Sequence, residues 1–252
     1  HHAQTCTRYR SETTGPEAKY WELKLRDLFE LRRKRRGTSQ VELIRQFTGL
    51  YSGGLAKSKR DAGEASAMPP WTEVSWLGKQ VVKCPMDLWV YQEIIWETKP
   101  DVILETGTSG GGSAFFFATL LDIIGAGRVV TVDKDSYPEL RVAHPRITYL
   151  TGDSTNSIVA AQMAVAAKDK RVMVSLDSLH TYEHVKAELA IYGPLVTPGC
   201  YLVVEDTGWG QTEDWACRAA AEFVVGHPEF EVDQSREKHL LTSNRGGWLR
   251  RK

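Results

Sequence analysis

The stretch Val102-Ile103-Leu104-Glu105-Thr106-Gly107-Thr108-Ser109-Gly110-Gly111-Gly112-Ser113 decides the fold. Its first three residues form an apolar run of strand type. It leads into Ala114-Phe115-Phe116-Phe117-Ala118-Thr119-Leu120-Leu121, which reads as a buried helix. Strand, glycine-rich turn and helix together open the ligand crevice of a doubly wound sheet. Glycine lets backbone approach a ligand closely, and the helix N-terminus presents unpaired N–H groups. Gly107, Thr108 and Ser113 are therefore candidate cofactor contacts, Ser113 also being suited to cap the helix. Glu105 adds a constraint. A carboxylate just before the turn repels a pyrophosphate and suits a cationic ligand group instead.

Outward from this turn the pattern stays regular. Strands are expected at Arg128–Val132, Ile147–Leu150, Val172–Leu176 and Tyr201–Val204, with helices at Asp87–Glu97, Ile158–Ala167, Tyr182–Tyr192 and Trp215–Val225. Alternation of this kind predicts a parallel sheet with right-handed crossovers. Phe230-Glu231-Val232, Leu240-Leu241-Thr242 and Trp248-Leu249, with a turn at Ser243–Gly247, predict a C-terminal antiparallel hairpin. The expected fold is α/β and Rossmann-like, with a mostly parallel seven-stranded sheet. Residues 71–252 form that domain. Residues 1–70 read as an N-terminal helical extension: an amphipathic helix over 17–36, a short helix over 41–47, and a Gly/Ala/Ser/Lys-rich loop over 52–70.

Ligands of an open parallel sheet bind beyond the carboxyl ends of its strands. Each of the five parallel strands finishes in or just before an acidic residue: Glu105, Asp133, Asp153, Asp177 and Glu205-Asp206. Asp133 stands about 20 residues after the glycine turn, where a ribose-binding carboxylate belongs. Asp153 and Ser154 can meet an adenine edge or cap the next helix. With Glu105 facing a cationic group, the ligand that fits is S-adenosylmethionine (SAM). Asp177, Glu205 and Asp206 ask for a positive partner, and oxygen ligands suit a hard divalent cation such as Mg²⁺. Such an ion lowers the pKa of a substrate hydroxyl. His180 follows Asp177 closely, and histidine exchanges a proton near neutral pH, which suits a general base.

Other features are read more plainly. His180-Thr181-Tyr182-Glu183-His184 spells H-x-x-E-H, but a zinc-peptidase motif must lie within a helix and His180 precedes one. Trp209, flanked by glycines, is a candidate for substrate packing, and Trp89 with Trp96 read as core. Lys+Arg and Asp+Glu both number 32, so no global field favours nucleic acid or a membrane surface as partner. The four cysteines lack metal spacing and read as free thiols of a reducing compartment. No apolar run spans a bilayer and no secretory leader is visible, so a cytoplasmic protein is expected.

Several motifs together resemble one family. They are Trp76-Leu77-Gly78, Lys83-Cys84-Pro85-Met86-Asp87, Tyr91-Gln92-Glu93, Lys99-Pro100-Asp101 and the 105–113 turn. Further along come Leu176-Asp177-Ser178-Leu179-His180-Thr181, Tyr192-Gly193-Pro194-Leu195-Val196, Gly199 through Thr207, and Arg236-Glu237-Lys238. From Trp71 to the C-terminus the chain resembles the cephalosporin hydroxylase/rhamnosyl O-methyltransferase family, which is similar to macrolide-sugar O-methyltransferases. The resemblance implies a class I SAM-dependent methyltransferase that binds Mg²⁺ and methylates hydroxyls of secondary metabolites, antibiotics among them. It carries the metal ligands to Asp177, Glu205 and Asp206 and the base to His180, and it implies a homo-oligomer. Leu179 and Trp209-Gly210-Gln211 depart from the family pattern near the expected acceptor. The expected activity is thus Mg²⁺-dependent transfer of a methyl group from SAM to a hydroxyl of a small natural product or its sugar. Two alternatives stay open: a SAM-binding accessory subunit of a hydroxylase or methoxylation system, and an NAD-dependent oxidoreductase.

Overall fold

The computed structural model describes residues 69–252 apart from residue 136 and residues 209–214, together with the helical residues Glu42, Ile44 and Gln46. The helix expected over 17–36, most of that over 41–47, the loop from 52 to 68, and Trp209 lie outside the described residues.

A short turn at Pro70–Thr72 leads to a hairpin of β1 (Ser75–Trp76) and β2 (Lys79–Gln80). Its central residues, Leu77 and Gly78, have φ of 48° and 80°, the positive values that a type I′ turn requires. Helix α1 (Pro85–Thr98) starts on Pro85, whose missing N–H costs nothing there, and stops at Lys99 in the left-handed region before Pro100. Then follow β3 (Val102–Thr106), α2 (Gly112–Ile124), β4 (Arg128–Asp133), β5 (Ile147–Thr151), α3 (Ser157–Ala167), β6 (Val172–Leu176), α4 (Tyr182–Tyr192), β7 (Tyr201–Val204), α5 (Ala216–Gly226), β8 (Phe230–Val232) and β9 (Trp248–Arg251).

The main sheet runs β5-β4-β3-β6-β7-β9-β8. The first five strands are parallel, and β9 runs antiparallel to both β7 and β8. Strands β3 and β6 are buried along their whole length. That explains why they read as continuous apolar runs rather than alternating ones. Val102 and Leu104 join a core with Met163 of α3, Leu189 of α4 and Phe223 of α5. Ile103, on the other face, packs with Tyr91 and Ile94 of α1, Phe117 of α2 and Trp248 of β9. The result is a three-layer sandwich. The strand order reverses between β3 and β6, so the crevice opens at their carboxyl ends.

Two expectations need correction. Leu240-Leu241-Thr242 is not a strand; β8 takes its place beside β9. Leu240 has φ of 64°, and the segment after it is bound elsewhere: Ser243 N–H donates to Asp87 Oδ2 at 2.7 Å. Trp89 and Trp96 are not core either; they are 60% and 57% exposed. Their helical spacing does put them on one face of α1, but Tyr91, Ile94, Ile95 and Thr98 hold the buried face.

Candidate active site

Glu105, on β3, is fully buried. Its Oε2 accepts a 2.6 Å hydrogen bond from the Thr131 hydroxyl, which is in turn 2.6 Å from the Thr108 hydroxyl. Among the described residues its Oε1 has no hydrogen-bond partner. Burial pushes the Glu105 carboxyl above its ordinary range, against the Lys83 charge and the hydroxyls of Ser113 and Thr131. A buried acceptor left open beside the crevice is suited to a cationic ligand group.

The turn itself is held by the sheet. Gly107 has φ of 84°, and a Cβ there would fall 1.8 Å from the Asp177 carbonyl oxygen. This glycine lets the ends of β3 and β6 close on each other. Ser109 N–H donates to Asp133 Oδ2 at 2.7 Å, so Asp133 ties the turn to β4. Ser113 is not the helix cap expected for it: Gly111, in the left-handed region, holds that position. Ser113 lies inside the first turn of α2 and is buried.

Asp153 is not a helix cap, because Asn156 caps α3 by accepting from Ile158 N–H. Asp153 instead accepts from the amide and hydroxyl of Thr155, which lower its pKa. Ser154 is buried and turned inward. Its hydroxyl donates to Glu188 Oε1 at 2.6 Å, and its carbonyl accepts from the Tyr192 hydroxyl. Glu188 also accepts from Ser178 Oγ at 2.7 Å. His184 Nε2 lies 3.0 Å from Ser178 Oγ and 3.1 Å from Ser154 Oγ. Sequence reasoning gave His184 and Glu188 no place in the site, yet they fasten the Asp153-Ser154 loop to the loop that carries Asp177.

At the ends of β6 and β7, Asp177, His180 and Asp206 converge. His180 Nε2 lies 3.6 Å from Asp177 Oδ1 and 3.3 Å from Asp206 Oδ2. His180 is in place because its carbonyl accepts from Ala216 N–H, and the adjacent Thr181 bridges to Trp215. Its position ahead of α4, which begins at Tyr182, removes the zinc-peptidase reading of H-x-x-E-H. Asp206 has φ of 58°. Its N–H donates to Asn244 Oδ1 at 3.0 Å, and its carbonyl accepts from Trp215 Nε1 at 2.9 Å.

Glu205 points the other way, into the protein. Its Oε1 accepts from the Tyr91 hydroxyl and lies 2.9 Å from Lys83 Nζ. Lys83 Nζ is also 2.7 Å from Asp177 Oδ2. Burial works against the Lys83 ammonium, but Asp177, Glu205 and Glu105 together hold its pKa above the ordinary value. Neither Lys83 nor Tyr91 was assigned a role from the sequence, though both sit in motifs that carry the family resemblance. Asp177, His180 and Asp206 each offer a ligand atom, all within 4.8 Å of one another. The two carboxylates at that span fit a divalent ion, and the imidazole beside them can serve either as a third ligand or, left free, as a base.

A seven-stranded sheet in this order, with carboxylates over the ends of its central strands, defines a class I methyltransferase fold. Residues 69–252 match the family described as rhamnosyl O-methyltransferase/CmcI. A rhamnosyl O-methyltransferase of Mycobacterium leprae is 37% identical over 198 residues, which cover 72% of this chain and 85% of that protein. One from Mycobacterium bovis is 36% identical over 143 residues, covering 54% of this chain and 58% of that protein. A solved CmcI structure with Mg and SAM is 20% identical and shares the fold at a TM-score of 0.59, over 77% of this chain and 84% of that one. The chain belongs to the rhamnosyl O-methyltransferase/CmcI family. That membership places it among the O-methyltransferases and sets aside the oxidoreductase alternative.

Proposed function

We propose that this protein transfers a methyl group from SAM to a hydroxyl of a small natural product or its sugar, with help from a divalent cation. The observation that carries this reading is the position of His180 Nε2 between Asp177 and Asp206 at the crevice of a methyltransferase fold. Glu105, Gly107, Thr108 and Ser113 line the donor side. Asp133 takes the ribose and Asp153 the adenine edge, while Ser154, expected to share that edge, holds the loop behind it through Glu188. Asp177 and Asp206 form the cation-holding edge, and Glu205, which faces Lys83 in the structure, would have to turn to join it. An ion held there, Mg²⁺ in our reading, supplies Lewis acidity that lowers the pKa of the acceptor hydroxyl. His180 Nε2 receives the hydroxyl proton and so acts as the general base. Holding acceptor and donor in line supplies much of the remaining rate.

The names of the mycobacterial relatives favour a deoxysugar hydroxyl as acceptor. The start of the family match at residue 69 supports a methyltransferase domain over 71–252 preceded by a separate extension. Homo-oligomeric assembly and a cytoplasmic location belong to the same proposal. Among the described residues, no helix is long and apolar enough to cross a membrane. The test is a methyl-transfer assay on a panel of rhamnosides and other hydroxylated metabolites, with Mg²⁺ and with excess chelator. Metal-dependent methylation of at least one sugar hydroxyl is expected. SAM binding without transfer to any acceptor sinks the enzyme reading in favour of an accessory role.

A further inference from the structure

The carboxylates of the crevice already face one cation that belongs to the chain. Lys83 is buried, and its ammonium lies 2.7 Å from Asp177 Oδ2 and 2.9 Å from Glu205 Oε1. Glu105 is close enough to act on it as well. The two oxygens of Asp177 face opposite ways: Oδ2 meets Lys83, and Oδ1 meets His180. Asp177 therefore stands between two positions for positive charge, one filled by the ammonium and one framed by His180 and Asp206. Glu205 faces the ammonium side, where the Tyr91 hydroxyl, itself 2.8 Å from Ser175 Oγ, also holds it.

We infer that Lys83 is a built-in counter-cation for the Asp177–Glu205 pair, one that opposes the divalent ion electrostatically and so sets how tightly that ion is held. The inference rests on reading these carboxylates as the cation-holding edge. Four carboxylates converge here: Glu105, Asp177, Glu205 and Asp206. With no counter-charge, burying them side by side would destabilise the fold. Lys83 removes one unit of that negative charge permanently, so the crevice keeps its shape when no ion is bound. The same positive charge repels a divalent ion a few ångströms away and engages oxygens that the ion would otherwise use. Lys83 is a positioning residue: it acts on the ion through Asp177 and Glu205 and touches no reacting atom. A divalent ion and the net single positive charge of SAM would bring the remaining three negative charges to zero.

The test uses the full chain carrying Lys83→Met, Lys83→Gln, or Lys83→Met with Glu205→Gln. Each is melted in excess chelator and then titrated with Mn²⁺ by paramagnetic resonance or calorimetry. Both single variants should melt about 10 °C below the parent in chelator. The double variant should melt closer to the parent than Lys83→Met does, because the orphaned charge has gone with its partner. Mn²⁺ should bind the single variants about tenfold more tightly than the parent and restore most of the lost melting temperature. Unchanged melting in chelator overturns the inference, and so does Mn²⁺ affinity in a folded variant that is equal to or weaker than the parent's. If Lys83→Met folds only with Mn²⁺ present, the inference holds; if Mn²⁺ does not rescue it, the inference fails. A parent that binds no Mn²⁺, with melting as expected, removes the divalent-ion reading and reduces Lys83 to a structural ion pair.

Discussion

His180 Nε2 lies 3.3 Å from Asp206 Oδ2, although the two residues follow different strands and approach from separate loops. The loop after β6 brings the histidine, and the left-handed turn after β7 brings the aspartate. In the proposed reaction an imidazole held between two carboxylates at the crevice is placed to act as the general base. His180→Ala should therefore retain SAM binding, measured by calorimetry, and lose about 10²- to 10⁴-fold in kcat. His180→Asn, which cannot take up a proton, should be no better. If His180→Ala turns over at the parental rate from pH 6 to pH 9, His180 is not the base.

Asn244 controls the other half of this relationship. It is fully buried, and its Oδ1 accepts the N–H of Asp206, a residue with φ of 58°. Asn244→Ala would leave that amide unpaired and let the turn relax. The expected cost is about 1–3 kcal/mol of stability, with weaker Mn²⁺ binding because the Asp206 carboxylate loses its aim. Asn244→Asp keeps the acceptor and should recover Mn²⁺ binding better than Asn244→Ala. Equal Mn²⁺ affinity for parent and Asn244→Ala would show that the turn holds its shape without this contact.

The contrast between His180 and Asn244 shows what the sequence makes legible. The strands could be read because parallel strands buried on both faces are unbroken apolar runs. Asp177, His180 and Asp206 could be read because each stands at, or just after, such a run. Asn244, Lys83 and Tyr91 reach the same place from segments remote in sequence. Nothing local distinguishes Lys83 from a surface lysine, or Tyr91 from any buried tyrosine of an amphipathic helix. The Ser243–Gly247 segment looked like a hairpin turn because its composition suits one. A turn does form there, with Gly247 N–H donating to the Asn244 carbonyl, but it joins no strand before it: Ser243 N–H donates to Asp87, the Ser243 carbonyl accepts from Gly208 N–H, and the Asn244 side chain accepts from Asp206 N–H. Ser113 looked like a cap because serine usually is one; the left-handed Gly111 supplies that position without a side chain.

Gly107 offers a test of the fold at the site. A Cβ added there would lie 1.8 Å from the Asp177 carbonyl oxygen, and its φ of 84° is strained for any other residue. The obstacle is backbone and cannot swing aside. Gly107→Ala should cost about 3 kcal/mol or more, read as a lower denaturant midpoint or as insoluble protein. A comparable change at Gly125, where added bulk meets nothing within 4 Å, should be milder because only its φ of 83° is unfavourable. Similar losses at both positions would mean that conformational strain alone, and not the approach of β3 to β6, explains the glycine at 107.

Asp87 gives the fold a pH dependence whose sign can be worked out. Burial raises its pKa from 3.8 to about 7, with Glu205 adding to the rise. The Thr242 hydroxyl, the Ser243 amide and the Lys83 charge oppose it. Between those two values the unfolded chain has already lost the proton that the folded chain keeps. The folded state binds more protons there, so the contribution of Asp87 to stability falls as pH rises through that interval. Above about pH 7 both states are ionised and the contribution is flat. Asp87→Asn removes the titration while its Oδ1 can still accept from Ser243 N–H, which meets Asp87 Oδ2 at 2.7 Å in the parent. Relative to the parent, the variant should therefore gain stability steadily from pH 4 to pH 7. Urea melts at pH 4, 5.5, 7 and 8 measure this directly. A difference between variant and parent that does not change with pH would show that Asp87 is ionised throughout, its carboxylate held by Lys83 more strongly than burial opposes it.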